Sequence, residues 1–430
     1  MKTLSLSILL AAGAVGAGLN RASARADEFR TDINPALRYY QGYLLSKGIS
    51  QADTDYLTTN DWRGQKLTGH FKTAIAAHNN EFKAYQQAAQ AQVPCNWGVD
   101  LSEGPLALLP GLAPAKGAAQ IARLRILSEL QSGKQDDARN DLLATFALAH
   151  NVSQDGTLIS ALVQIAMEQM MIACIAENYH LFTPETLKQV ADGFDLAPAR
   201  GTMARSVLAE RNGFYGWFVH KVQDIQSRHP GDEAGAIAEI RQVFHETMDS
   251  GGDGDTSKPG QTSTTDRILT ASGGTTTGLL RLFAELPPLY DQALQIMQLP
   301  PAEFEVQIKG FNAQIQNSPN PLVKEFFPSF EKCKIKEIAV LVKLAMLRAA
   351  VEYRINGQAG FRNVADPAGR GPFDFQRVQV NGVDRGFKLT SSYAGRGTPE
   401  VLIFVEKDGA AINVDGPHAG ELLKTSVIPE

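Results

Sequence analysis

The stretch from Ala115 to Phe182 constrains this chain more than any other. Its apolar residues recur at helical spacing, and polar residues interrupt it only briefly. The pattern predicts three consecutive helices: Ala118 to Gln131, ending at Ser132-Gly133; Gln135 to Asn151, with Leu142, Phe146 and Ala149 on one face; and Thr157 to Asn178. Breaks this short favour antiparallel neighbours.

Helical spacing extends in both directions. Asn34 is placed to cap a helix that Pro35 opens, followed by Leu37, Tyr40 and Leu44. A long helix is expected from Leu67 to Gln92. The Pro/Gly-containing segment 93–114 should pack down through Leu106, Leu108, Leu109 and Leu112. Further helices are expected from Thr183-Pro184-Glu185, over Ala204–Gln226 and Glu233–Met248, from Thr276 onward, and over Lys334–Tyr353. After Gly357 the period changes. "FDFQRVQV", "GFKLTSS" and "VLIFVEK" read as short strands, with Asn381-Gly382 and Asp408-Gly409 as hairpin turns. The expected class is therefore mainly α, an antiparallel helical-hairpin array or bundle with a small C-terminal antiparallel β appendage. The divisions are a signal peptide at 1–26, a helical domain at 27–248, a flexible polar loop at 249–266, a helical segment at 267–356 packing on the first, and a β-rich module at 357–430.

The first residues have the three parts of an export signal. Lys2 is the positive start, Leu4 to Leu19 is mostly apolar, and Ala24-Arg25-Ala26 supplies the cleavage pattern. Cleavage would remove Lys2, Arg21 and Arg25 and no acid, making the formal charge of −5 three units more negative. An acidic balance argues against nucleic acid as a partner. Beyond the signal, the most apolar run, Ile159 to Ile175, is interrupted by Gln164, Glu168 and Gln169, so no membrane span is expected after cleavage. The address is periplasmic or extracellular. Cys95, Cys174 and Cys333 remain, an odd number, and pairing of Cys95 with Cys333 is left open.

The segment "SGKQDDARNDLLATFALA" is similar to one tetratricopeptide-like hairpin, without a second copy at a fixed period. Gly133, Asp137-Ala138, Asp141-Leu142, Ala149-His150, Thr157-Leu158-Ile159, Leu162-Val163 and Ile165-Ala166 together resemble a group of uncharacterised exported bacterial helical proteins. The tail resembles the closing module of that group and, more distantly, a pseudopilin head. Tyr353-Arg354, Gly357 and Gly386-Phe387-Lys388-Leu389-Thr390-Ser391 carry that likeness. Phe373 stands in a Gly-Pro-Phe variant, and Asp366-Pro367 is separated from it. The likeness implies shared shape and no activity.

Catalytic signatures are missing: there is no HExxH, GxSxG or Walker lysine loop, and no cofactor is expected. Glu177-x-x-His180 has the spacing of a carboxylate-bridged metal site but lacks the second copy such sites need. His180 also fits a helix C-terminus, where the dipole favours it. Glu168, inside the most apolar helix, is a candidate acid or base, or else the partner of an arginine such as Arg211. Glu210 and His220 are the other catalytic candidates. His220, His229 and His245 show no ligand spacing. Asp249, Asp253 and Asp255 offer oxygens for calcium, but Gly251 and Gly260 occupy ligand positions. Tyr215, Trp217 and Phe218, with Trp97, are candidates for a groove or for core packing. The expectation that follows is a scaffold binding an envelope protein or peptide. The alternatives are a hydrolase or metal-dependent enzyme with carboxylates in a helical cavity, and a component associated with a secretion apparatus.

Overall fold

The structure, a computed structural model, describes residues 30–46, 62–67, 69–249, 263–327, 329–395 and 397–423. The export signal, most of the polar loop, and Asp253 and Asp255 of the calcium reading lie outside the described residues.

Local chemistry sets the helix starts. The Asn34 side chain accepts from the Ala36 amide and Pro35 fills the first position of α1 (Pro35–Leu45). The single helix expected over 67–92 is two, α2 (Gly69–Ala77) and α3 (Asn79–Ala89). His78 breaks it: its backbone leaves the helical path, and its ring is buried 2.5 Å from the Glu81 carboxylate. Next come α4 (Leu112–Gln131), α5 (Gln135–Val152) and α6 (Leu158–Glu177). Gly133, at φ 72°, makes the left-handed turn that reverses the chain between α4 and α5. The Thr157 hydroxyl caps α6 by accepting from the Ser160 amide.

Helices α4, α5 and α6 each pack on the other two. The first and third touch, so the unit is a bundle rather than a stacked array. The chain continues through α7 (Pro184–Asp195) to α8 (Met203–Ala209), which runs through a π-helical turn at Glu210–Tyr215 into α9 (Gly216–Arg228). α10 (Glu233–Phe244) ends in a similar turn, His245–Asp249. α11 (Thr264–Ala271) begins inside the stretch read as polar loop. Then follow α12 (Thr276–Phe283), α13 (Leu286–Met297), α14 (Pro301–Asn317), α15 (Pro321–Phe326) and α16 (Phe330–Arg362). α16 packs on α6, α7 and α8.

Two expectations about packing change. Leu106 and Leu108 are 55% and 79% exposed, whereas Leu109 is half-buried and Leu112 packs against the core, so only two of the four expected leucines hold segment 93–114 down. Trp97 also anchors it, stacking on Tyr39 and donating its indole N–H to the Asn151 carbonyl. The proposed aromatic set also divides. Phe218 joins a buried cluster with Phe244, Phe283 and Phe326, while Tyr215 packs on Phe283 and Tyr290. Trp97 belongs to the separate cluster of Tyr39, Tyr40 and Tyr43. Core packing accounts for these rings.

The three strands β1 (Asp374–Val380), β2 (Val383–Thr390) and β3 (Val401–Val405) form an antiparallel sheet in that order. Asn381 and Gly382, at φ 52° and 78°, make the two-residue turn expected between β1 and β2. Asp408-Gly409 lies in a wider turn after β3, and the chain returns to pair through Leu402 and Asp415. β3 packs on α6. Phe387 stacks on Phe375 and Phe404 and meets Tyr179 and Tyr353 edge-on. Arg354 lies over the Tyr179 ring. The residues that carried the pseudopilin likeness therefore build the joint between helix and sheet.

Two glycines at this joint differ in their constraint. Gly357 (φ 62°, ψ −153°) kinks α16, and a Cβ there would meet open space. At Gly386 a Cβ would lie 2.0 Å from the Phe404 carbonyl oxygen. In urea denaturation, Gly357→Ala should cost about 2 kcal/mol, the penalty of an extended positive-φ backbone that is essentially confined to glycine. Gly386→Ala should cost about 3 kcal/mol, because the strand pair must also move apart. Equal effects would contradict this account of the joint.

Candidate functional site

A cleft of about 470 Å³ lies between α3, α4 and the start of α5. That is within the size range of small-ligand sites. One wall is a polar face of α3: Asn79, Lys83, Gln86, Gln87 and Gln90. Their spacing keeps them on one side of the helix, while Phe82, Tyr85 and Ala88 face the core. The other wall is Arg125 and Glu129, one turn apart on α4, then Lys134 in the turn and Asp137 on α5.

A buried charge cluster closes the bottom. Arg125 Nε donates to Asp141 Oδ2 at 2.7 Å, and its Nη1 donates to Asn79 Oδ1 at 2.7 Å. The guanidinium lies over the Phe82 ring. Gln86 donates to Asp141 Oδ1 at 2.7 Å. Both Asp141 oxygens are thus served, and its side chain has no exposed surface. Glu129 is less well provided. Arg125 Nη2 is 3.5 Å from its Oε1, and no donor among the described residues reaches its buried Oε2. Burial, then the neighbouring Asp141 charge, pushes the Glu129 carboxyl up to about 8, with Arg125 opposing. Burial also raises Asp141, with Arg125 as the main opposing influence. Asp141 keeps the charge because Arg125 and Gln86 serve it, so Glu129 holds the proton at neutral pH.

The residues singled out from sequence sit elsewhere and do not converge. Glu168 is buried as expected, but its partners are His150 and Arg200 rather than Arg211. His150 Nε2 lies 2.9 Å from Oε1, and Arg200 Nη2 donates to Oε2 at 2.9 Å. Arg211 pairs with Asp291 across the surface. Arg200 reaches Glu168 because the 196–202 segment carries it across the bundle, a placement with no local signature. Burial raises Glu168, but the His150 hydrogen bond and the Arg200 charge outweigh it and hold it below the usual range. Glu210 lies in the π-helical turn, where burial pushes its carboxyl up to about 7 against a hydrogen bond from the Leu158 amide. His220 is exposed on α9.

Glu177 and His180 do line one small cavity of about 20 Å³, room for a water. Arg63 and Arg123 both donate to the Glu177 carboxylate, and Arg385 lines the same space. Such positive surroundings oppose a metal ion, and the described residues hold no group of three or more ligating side chains placed for one. His229 pairs with Glu239. The three thiols are free, and burial lifts Cys95 and Cys174 to about 12.

No family model matches the chain, and neither the curated proteins nor the solved structures yield a match.

Arg125, Glu129 and Asp141 escaped the sequence reading. Arg125 and Asp141 did leave a trace: each is a charge among apolar residues such as Ile121, Ala122, Leu142 and Ala149 of the same helices. That trace marks burial without saying what a charge faces.

The raised Glu129 carboxyl has a stability consequence. A folded value above the ordinary 4.5 stabilises fully below 4.5, and that contribution is lost as pH rises through about 8. Urea midpoints should therefore fall between pH 5 and 8.5, and Glu129→Gln should flatten the fall. An unchanged slope in the variant would place the titration on another group.

Proposed function

We propose that this chain is an exported helical scaffold that binds an extended peptide or protein segment of the cell envelope in the α3–α4 cleft. The observation that carries this reading is the row of amides along α3. Among the described residues no side chain hydrogen-bonds to the Gln87 or Gln90 amide, whereas Gln86 is committed to Asp141. A side-chain amide offers one acceptor and two donors, the complement of a peptide group. A row at helical spacing suits a ligand that repeats such groups along its length. The cleft is polar, which favours a hydrogen-bonding ligand over an apolar one. The export-signal pattern at residues 1–26 supports a setting outside the cytoplasm for such a scaffold.

The same cleft favours a second reading, a hydrolase in which Glu129 donates its proton to a leaving group. A carboxyl protonated near neutral pH and open to a cleft meets the first requirement of a general acid. The enzyme alternative thus moves from Glu168, Glu210 and His220 to Glu129.

One experiment separates the readings. The chain without residues 1–26 is incubated with an immobilised library of extended peptides, and bound and cleaved products are identified by mass spectrometry. A scaffold retains intact peptides. Replacing Gln87 and Gln90 together by alanine should weaken retention about ten-fold, from two hydrogen bonds of about 1 kcal/mol each, partly offset by water. Cleavage that disappears in Glu129→Gln would select the hydrolase. Retention unaffected by the double substitution would remove the amide row from the argument.

A further inference from the structure

The floor of the cleft is one cation short. Arg125 is shared between Asp141 and Glu129, and its Nε and Nη1 donors are committed to Asp141 Oδ2, Asn79 Oδ1 and the Ile75 carbonyl. Only the long 3.5 Å approach of Nη2 reaches Glu129. Among the described residues, the charged groups that line the cleft around Glu129 or act on it are Arg125, Asp137, Asp141, Lys134 and Lys83. Arg125 lies on its own helix. Asp137 and Asp141 are on α5. Lys134 is in the turn, 3.9 Å from Asp137 and so already paired, and Lys83 is exposed on α3. With Glu129 protonated, the floor of Arg125, Asp141 and Glu129 is neutral. If Glu129 ionised with nothing added, the floor would carry an unpaired buried charge.

We propose that the ligand of this cleft carries a cationic group, a lysine or arginine side chain or a terminal ammonium of the bound peptide, which seats against Glu129 Oε2 and displaces its proton. This rests on the reading of the cleft as a peptide site and names the chemistry recognised there. The exchange balances: the Glu129 O–H bond breaks, its proton passes to solvent, the incoming N–H donates to Oε2, and the net charge of the occupied floor stays zero. Oε2 is the acceptor because it is buried and without a donor among the described residues, on a side chain that lines the cleft. Among the described residues lining the opposing wall, Lys83 is the cation able to compete, and it resists the ligand's charge.

The test uses two acetylated, amidated hexapeptides of alanine and glutamine. One carries a central lysine and the other carries Nε-acetyl-lysine at the same position. Binding is measured calorimetrically at pH 7 in buffers of different ionisation enthalpy, and the Glu129 carboxyl is followed by carbon NMR. The lysine peptide should bind at least about ten-fold tighter than its acetylated twin and release close to one proton per complex. Its presence should also move the Glu129 titration downward. Glu129→Gln, an isosteric copy of the protonated state, should remove both the preference and the proton release. Lys83→Met should strengthen the lysine peptide alone. Equal binding of both peptides with no proton release overturns this inference and leaves the peptide site standing. Failure of both peptides to bind overturns the site and the inference with it.

Discussion

One carboxylate with no exposed surface holds the helical body in register. Glu168 lies at the middle of α6, the most apolar helix, and its charge is met by His150 from α5 and Arg200 from the 196–202 segment. His150 Nδ1 faces the Pro198 carbonyl at 2.6 Å, so both ring nitrogens point at oxygen acceptors. Arg200 Nη1 also reaches Glu337 on α16, which takes hydrogen bonds from the Met203 amide and Lys334. Removing one member would leave an uncompensated buried charge, a loss of roughly 3–5 kcal/mol. Four parts of the chain are therefore located by one network: α5, α6, α16 and the segment entering α8.

That network fixes what rests on α6 and α16. Tyr179, just past the end of α6, meets Phe387 and Phe404 of the sheet and donates to the Ala350 carbonyl of α16. Lys343 of α16, nearly buried, pairs with Glu400 and Asp415 of the C-terminal module. The sheet is thus an integral layer on the helical body, held by aromatic packing and by a charge pair in a partly dry setting.

The two buried charge clusters use the same residue types to opposite effect. Around Glu168 and Glu337 the cations Arg200 and Lys334 match the acids, and His150 adds a further hydrogen bond. That cluster is sealed, and Glu168 is held ionised. At the cleft, Arg125 alone serves Asp141 and Glu129, one oxygen is left without a donor, and the site opens to solvent. Burial of an acid is common to both. What separates a structural cluster from a candidate site is the count of cations and the open face.

Much of the architecture was legible because it is local. The Asn34-Pro35 and Thr183-Pro184 helix starts, the Gly133 turn, the change of period after Gly357 and the Asn381-Gly382 hairpin all depend on residues within a turn of one another. A helix face or strand face shows itself in such short windows. The His78 break did not, because it answers to a buried contact with Glu81. Leu106 and Leu108 misled for a similar reason: Trp97 fills the hole beside that segment, formed by residues far along the chain. The candidate site was the least legible part. Asp141 lies sixteen residues beyond Arg125 and fifty-five beyond Gln86. The sequence by itself determined which segments are helix and strand, and that acids would be buried among them. Only the tertiary structure decided which cation each acid met, because the free energy of a buried charge depends on neighbours that folding brings together from distant parts of the chain.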